Sequence, residues 1–328
     1  YVDKIGYRRS VVASEILSAV GLIGLAFLPD LLNHAYVGIL ISVIIYAMGS
    51  GLIEVLVSPI VEACPFDNKE SVMSLLHSFY CWGAVAVILF STAFFTIFGI
   101  NNWRILACIW ALIPICNVFN FLTCPIESLT EDGQGLSIRQ LCNIPIFWVA
   151  LVLMVCAGAS EISMAQWASA YTESALGLSK SIGDIAGPSL FAVTMGISRS
   201  FYGKYGEKID LMKFMTASGI LCLICYLLAA LGPYPILGLI GCIMCGFSVG
   251  IMWPGTISIA SSKIPMGGTA MFALLAMAGD MGGSIGPCVV GFVTQNAGDN
   301  LKAGMLAGCI FPVILVLSVC LLKYKKSK

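Results

Sequence analysis

Charged residues are scarce in this sequence. Only 10% of its 328 residues are Asp, Glu, Lys or Arg, whereas 59% are hydrophobic and the mean hydropathy is +0.96. A typical soluble domain carries about 25% charged residues, so this chain has more apolar surface than a soluble core buries. The formal net charge is +0, and no basic surface therefore favours nucleic acid as a partner. We expect many side chains to face lipid.

Histidine and the common catalytic motifs are also lacking. The two histidines, His34 and His77, lie far apart and do not form an H-E-x-x-H pattern. No nucleotide-binding fingerprint occurs, which argues against ATP as an energy source. We therefore predict that the protein is not an enzyme and has no cofactor.

Cysteine is plentiful, with 14 residues, but nearly all lie inside apolar runs. Cys222, Cys225, Cys242 and Cys245 have the C-x2-C spacing of a zinc site in a soluble protein. Here they sit in hydrophobic spans without a neighbouring His, where a thiolate is costly to bury. We expect packing, with neither a metal nor a disulfide framework.

Polar, Gly and Pro clusters divide the chain into ten apolar segments that are long enough to cross a membrane, which takes about 20 residues. This pattern predicts an all-α membrane protein with a partial N-terminal bundle (1–123), a cytoplasmic linker (124–142) and a six-helix C-terminal bundle (143–328). The ten predicted spans are 10–29, 36–61, 71–98, 103–123, 143–171, 183–202, 210–231, 234–261, 267–295 and 301–322.

The distribution of basic residues predicts the orientation. If the N-terminal loop is cytoplasmic, only Arg104, Lys180 and Lys302 of the 17 Lys and Arg residues fall on the opposite side, as the positive-inside rule requires. We expect a multi-pass protein of the plasma or inner membrane with the lipid bilayer as a partner and both ends of this chain in the cytoplasm.

The two halves of the chain repeat one another at an offset of about 200 residues. Gly6 corresponds to Gly206 and Gly51 to Gly250. Parallel repeats around a midplane site are typical of transporters. Because the second half contains six predicted helices and the first only four, we expect two helices to precede residue 1 in the complete protein.

Two sequence segments carry a family resemblance. The loop DKIGYRR, residues 3–9, resembles the signature between the second and third helices of the major facilitator superfamily, and GKYGEK, residues 203–208, is its counterpart in the second half. GLIEVLVSPIV (51–61) and LLHSFYCWGA (75–84) resemble the fourth and fifth helices of the fucose:proton symporter group, with Ser58 where that group has Asn. The resemblance implies a two-bundle transporter that works by alternating access.

A polar stripe is predicted on the second span. Ser50, Glu54 and Ser58 recur every fourth residue and therefore share one helix face. An ionised carboxylate at mid-span costs about 2.5–3.5 kcal/mol, so Glu54 should face a water-filled cavity or a partner. The resemblance implies that Glu54 binds substrate hydroxyls, the proton, or both; an interhelical hydrogen bond without a transport role is the alternative.

Two further groups are candidates for the cavity. Glu161, Gln166 and Trp167 combine hydrogen-bonding and aromatic groups that suit a polyhydroxylated ligand, although Trp167 would equally suit an interfacial aromatic belt. His77 shares a face with Tyr80 and could carry a proton near neutral pH. A packing role for His77 is the alternative.

The resemblance also implies a cytoplasmic gate. Its members would be Asp3, Arg8, Arg9, Arg199 and Lys204; the basic residues among them could instead serve only as topology signals. Asp280 lies in a Gly-rich segment, residues 278–291, that favours close helix approach and gating. Asp280 itself could pair with a residue of the first half, stabilise a kink or titrate.

The functional prediction is a monomeric secondary transporter that moves a small polar solute, such as a sugar, by proton-coupled symport. An efflux antiporter has the same architecture, but residues 83–98 lack the Gly-Pro-rich motif typical of that class. A non-transporting solute receptor is the second alternative, and it would usually carry a long cytoplasmic signalling extension.

Overall fold

The computed structural model describes residues 2–126, 135–176 and 185–324, and all regular structure within them is helical. Helices suit long apolar runs because each segment satisfies its own backbone hydrogen bonds. In chain order the α-helices are α1 (Val2–Ile5), α2 (Tyr7–Leu31), α3 (Ala35–Ala63), α4 (Lys69–Phe98), α5 (Trp103–Thr123), α6 (Ile138–Cys142), α7 (Pro145–Leu176), α8 (Leu190–Tyr205), α9 (Leu211–Leu231), α10 (Pro235–Val249), α11 (Met252–Lys263), α12 (Gly268–Asn296), α13 (Leu301–Gly308) and α14 (Ile310–Tyr324).

Within the described residues, nine spans are long and apolar enough to cross a membrane. They correspond to nine of the ten predicted segments. The remaining prediction, residues 183–202, corresponds to α8 and the π-helical turn Ile185–Ser189 that precedes it, while residues 183 and 184 lie outside the described part. The prediction of an all-α membrane protein is confirmed.

The chain forms two compact units. Unit 1 consists of Tyr1–Pro65, Phe90–Gly135 and Gly268–Ala273, and unit 2 consists of Phe66–Leu89, Leu136–Gly267 and Leu274–Lys328. The predicted linker, 124–142, is described only in part, because 127–134 lie outside the described residues. Its last residues form α6, which begins at a capping box made by Ser137 and Gln140. The division into bundles at 124–142 stays a prediction.

Unit 1 is held together by close contacts between α2 and α3. A Cβ atom on Gly21 would collide with the backbone of Tyr46, and one on Gly38 would lie 2.6 Å from the backbone of Leu28. Small residues allow such approach, which helices in lipid use because no hydrophobic effect drives them together. At one end of the unit, Arg104 donates to Asp30 across 2.7 Å in an exposed ion pair.

In unit 2, α7 and α12 approach through glycines on both helices. A Cβ on Gly158 would collide with the carbonyl of Gly279, and one on Gly282 would collide with the carbonyl of Val155. Beside them, Tyr226 of α9 is fully buried and donates from its hydroxyl to the Ser160 carbonyl of α7 across 2.8 Å. These contacts bring the backbones of α7 and α12 together and join the Tyr226 side chain of α9 to the middle of α7.

The cysteines of the zinc-like pattern lie in the α9–α10 part of the core. Cys222, Cys225, Cys242 and Cys245 are all buried, and the sulfurs of Cys222 and Cys245 are 3.8 Å apart. All 14 cysteines are free thiols. The four cysteines of the zinc-like pattern belong to the hydrophobic core of unit 2, where they fill space as small hydrophobic residues do.

The span from Ile236 to Lys263 is broken near its middle, between α10 and α11. The break occurs at Gly250 and Ile251, and Pro254 follows it. Proline has no N–H to give to the carbonyl four residues earlier, so the Gly250 carbonyl loses its helical partner. A buried carbonyl in an apolar span needs another donor.

Candidate functional site

Two opposite charges meet inside unit 2. Arg199 of α8 donates from Nη2 to Oε2 of Glu161 on α7 across 3.0 Å, and their side chains are only 2% and 8% exposed. Burying either charge alone would cost several kcal/mol, and the pair is tolerated only with close geometry and further hydrogen bonds. Burial of the pair therefore depends on whether the other N–H groups of the guanidinium also find hydrogen-bond acceptors.

Arg199 supplies those further bonds to two backbone carbonyls. Its Nε donates to the Gly250 carbonyl, and its Nη1 donates to the His77 carbonyl of α4, each across 2.9 Å. The first acceptor is the carbonyl that Pro254 leaves without a helical partner. Arg199 thus gives a hydrogen bond to the carbonyl at the break between α10 and α11. Its other hydrogen bonds connect this break to α4 and α7.

Several residues of α4 contact Arg199 or the helix that carries it. The ring of Tyr80 lies with its centroid 5.8 Å from Cζ of Arg199, within the range of a cation–π interaction, and Ser74 donates to the Arg199 carbonyl across 2.8 Å. Gly196 of α8 packs on Cys81 and Trp82. The structure therefore brings the predicted residues His77, Tyr80, Glu161 and Arg199 together, with His77 contributing its carbonyl.

Both members of the pair lie within helices, away from the helix ends. At a rise of about 1.5 Å per residue, Glu161 is about 24 Å along α7 from Pro145. Arg199 is about 9 Å from the end of α8 at Tyr205, and helical side chains lean toward the N-terminus, away from that end. Arg199, a predicted gating residue, lies within α8, and its side chain is buried.

Gln166 and Trp167 lie apart from the ion pair. Five helical residues place Gln166 about 140° around α7 from Glu161, and the Gln166 side chain is exposed. Trp167 is half-buried and donates from Nε1 to the Pro287 carbonyl of α12 across 3.4 Å. This hydrogen bond joins α7 to α12 at Pro287.

Asp280 is exposed in the middle of α12. It lies about 18 Å along the helix from Gly268 at about 1.5 Å per residue. Its neighbour Gly279 packs against the indole ring of Trp253. Because a charged side chain at mid-span avoids lipid, we expect the Asp280 face of α12 to border water.

The residues of the predicted polar stripe of unit 1 lie on α3. Ser50 and Glu54 are half-buried and Ser58 is buried, beside Pro59. A buried carboxylate of this unit, Glu15 of α2, is not among the predicted site residues. Glu15 is only 8% exposed and accepts a hydrogen bond from Asn117 of α5 across 3.4 Å.

The other predicted gating residues lie at helix ends. Arg8 is exposed and donates to the Leu122 carbonyl at the end of α5, where a cation suits the helix dipole. Arg9 is exposed, Lys204 is exposed with its ammonium 5.4 Å from the centroid of the Tyr205 ring, and the side chain of Asp3 lies outside the described part.

Two tyrosine contacts near these ends were not predicted. The Tyr7 hydroxyl is hydrogen-bonded to the Thr269 hydroxyl in unit 1. In unit 2, Tyr202 donates to Glu70 across 3.1 Å. No spacing rule marks such partners, because each pair is distant in the sequence.

The chain is similar to known membrane transporters. The profile of the Major Facilitator Superfamily matches residues 1–287. A crystal structure of a single-residue variant of the E. coli fucose:proton symporter FucP is 16% identical and superposes with a TM-score of 0.81 over 98% of this chain and 85% of that one. A structure of FucP in the outward conformation is 17% identical, with a TM-score of 0.80 over 97% and 84% of the two chains.

A third similar structure is the proton:xylose symporter XylE bound to 6-bromo-6-deoxy-D-glucose. It is 13% identical and has a TM-score of 0.83 over 98% of this chain and 81% of that one. No curated protein sequence matches the chain. At these identities the structural likeness establishes the fold.

The chain belongs to the Major Facilitator Superfamily. It is a multi-pass membrane transporter rather than an enzyme, as the sequence predicted.

Proposed function

We propose that the protein is a proton-coupled symporter that moves a sugar or a related small polar solute by alternating access. The observation that carries this proposal is the presence of buried or half-buried carboxylates at mid-span in both units, Glu54 on α3 and Glu161 on α7. Ionisable residues inside membrane spans are costly and typically mark ion or substrate pathways.

The polar residues of α3 and the comparison with known symporters support a sugar or a related compound as the solute. The hydroxyls of Ser50 and Ser58 flank Glu54 on one face of α3, and such groups can exchange hydrogen bonds with a polyhydroxylated ligand. The fucose:proton and xylose:proton symporters share the fold. We further propose that the protein acts as a monomer in a cell membrane, with both ends of this chain in the cytoplasm.

Replacing Glu54 by Gln in the full-length protein should strongly reduce gradient-driven uptake of the solute, because the amide keeps the shape but lacks the carboxylate that hydroxyls of the solute would bind. We expect a fall of at least tenfold in initial uptake rate, which about 1.4 kcal/mol of lost interaction produces. The measurement is uptake of radiolabelled L-fucose, D-xylose and D-glucose into proteoliposomes with an acidic exterior.

The matched control for this experiment is Glu62→Gln, the same chemical change near the end of the same helix. It should leave the uptake rate and its pH dependence as in the wild type. An unchanged uptake rate in Glu54→Gln would remove Glu54 from the mechanism.

A further inference from the structure

The hydrogen bonds of Arg199 connect its charge to the packing of three other chain segments. One bond goes to Glu161 of α7, one to the Gly250 carbonyl at the helix break and one to the His77 carbonyl of α4. Glu161 is the partner that neutralises the guanidinium. Any process that removes the negative charge of Glu161 therefore changes the conditions at all three contacts.

Protonation of Glu161 would leave Arg199 buried without a counter-charge. An uncompensated charge in such a place costs several kcal/mol, which two carbonyl dipoles offset only in part. The guanidinium would then be driven toward water, and its bonds to Gly250 and His77 would break. Since Gly196 of the same helix packs on Cys81 and Trp82 of α4, movement of Arg199 would also loosen the α4–α8 contact.

We propose that Glu161 is the proton-carrying residue of this transporter and that its protonation state controls whether Arg199 holds α4 and the α10–α11 break together. The inference rests on the proposed proton-coupled function. The proton would arrive from water on one side, bind a carboxylate oxygen of Glu161 and return to water on the other side. Arg199 acts as a positioning residue, because its hydrogen bonds to α4 and to the α10–α11 break depend on the charge of Glu161.

Other titratable groups face the pair and have to be separated from Glu161. On α4 these are the Cys81 thiol, which interacts with both charges, and His77, which interacts with Arg199. On α9, Tyr226 donates to the carbonyl of Ser160, the residue before Glu161. His77→Gln therefore belongs in the experiment, because it removes the imidazole and keeps the carbonyl that Arg199 uses.

Two transport assays on the full-length protein in proteoliposomes separate coupling from translocation. One measures accumulation of labelled L-fucose, D-xylose and D-glucose under a proton gradient, and the other measures solute counterflow without a gradient. We expect Glu161→Gln to lose accumulation and its pH dependence while retaining counterflow. Glu15→Gln is the matched control, since it changes another buried carboxylate that accepts from an amide rather than a guanidinium, and it should accumulate solute as the wild type does.

The outcomes are distinguishable. If the wild type showed neither accumulation nor counterflow, the proposed function would be overturned. If the wild type accumulated solute and Glu161→Gln did so equally and with the same pH dependence, the inference would be overturned. The proposed function would still stand. Loss of pH dependence in His77→Gln but not in Glu161→Gln would assign the proton to the imidazole and would also overturn the inference.

A measurement on the wild type decides the matter even if Glu161→Gln does not fold. The indole of Trp82 donates to Ser200 of α8 across 3.4 Å, so its fluorescence reports the α4–α8 contact. Acidification should change the emission of the wild type and of Glu15→Gln, and the change should vanish in Trp82→Phe. A wild-type emission that does not respond to pH would contradict the proposed release of Arg199.

Discussion

Replacing Arg199 by Met is expected to lower the free energy of unfolding by about 3–5 kcal/mol, because the change leaves the Glu161 carboxylate buried without its partner. The loss should be large because both side chains are nearly inaccessible and because the Gly250 carbonyl also loses its donor. The measurement is reversible unfolding of the purified full-length protein in mixed detergent micelles, followed by circular dichroism.

The double variant Glu161→Met/Arg199→Met provides the decisive comparison. Replacing both members of a buried ion pair by apolar residues is often close to neutral, so the double variant should recover most of the loss. Lys213→Met removes an exposed charge from α9 and should stay within about 0.5 kcal/mol of the wild type. A double variant that is less stable than Arg199→Met alone would show that the charges do not stabilise each other.

Replacing Gly282 by Val should separate α7 from α12 and lower the stability by at least about 1–3 kcal/mol, the usual cost of overpacking. The added Cβ would lie 2.7 Å from the carbonyl carbon of Val155 and in collision with its oxygen. Backbone atoms cannot move aside as a flexible side chain can. Thermal unfolding and the folded yield on size exclusion measure the effect.

Gly83→Ala is the control for this glycine experiment. Apart from the nearby backbone of its own helix, α4, no heavy atom of the described residues lies within 4 Å of a Cβ built on Gly83. Ala should raise the stability by about 0.5–1 kcal/mol, because Gly loses more backbone freedom in a helix. Equal destabilisation by both changes would mean that the loss in Gly282→Val is not specific to the α7–α12 approach.

The positions of the spans could be predicted because they depend on local composition. A run of about 20 apolar residues has few alternatives to a membrane helix, and charges in the connecting segments follow a simple rule. That rule concerns the side on which a basic residue lies and not what lies beside its helix, so the burial of Arg199 could not be predicted from it. Only the packing of α8 against α7 supplies the carboxylate that permits burial of Arg199.

The break at Gly250 is marked in the sequence by a single proline. Pro254 alone identifies the carbonyl that must find a new donor, four residues earlier. The identity of the donor could not be predicted, because Arg199 and Gly250 are distant in the chain. Likewise, Glu15 has a partner on α5 that no helical spacing within α2 indicates.

The division of one span into α10 and α11 also has an electrostatic consequence. A helix concentrates partial negative charge, about half an elementary charge, at its C-terminal end, and α10 ends at Val249, beside the carbonyl that receives Nε of Arg199. The guanidinium therefore faces a second, permanent source of negative potential that no change of pH removes. Under the proposed mechanism, we expect such a fixed dipole to draw Arg199 back once Glu161 regains its charge, so that the site would return to its starting state after each cycle.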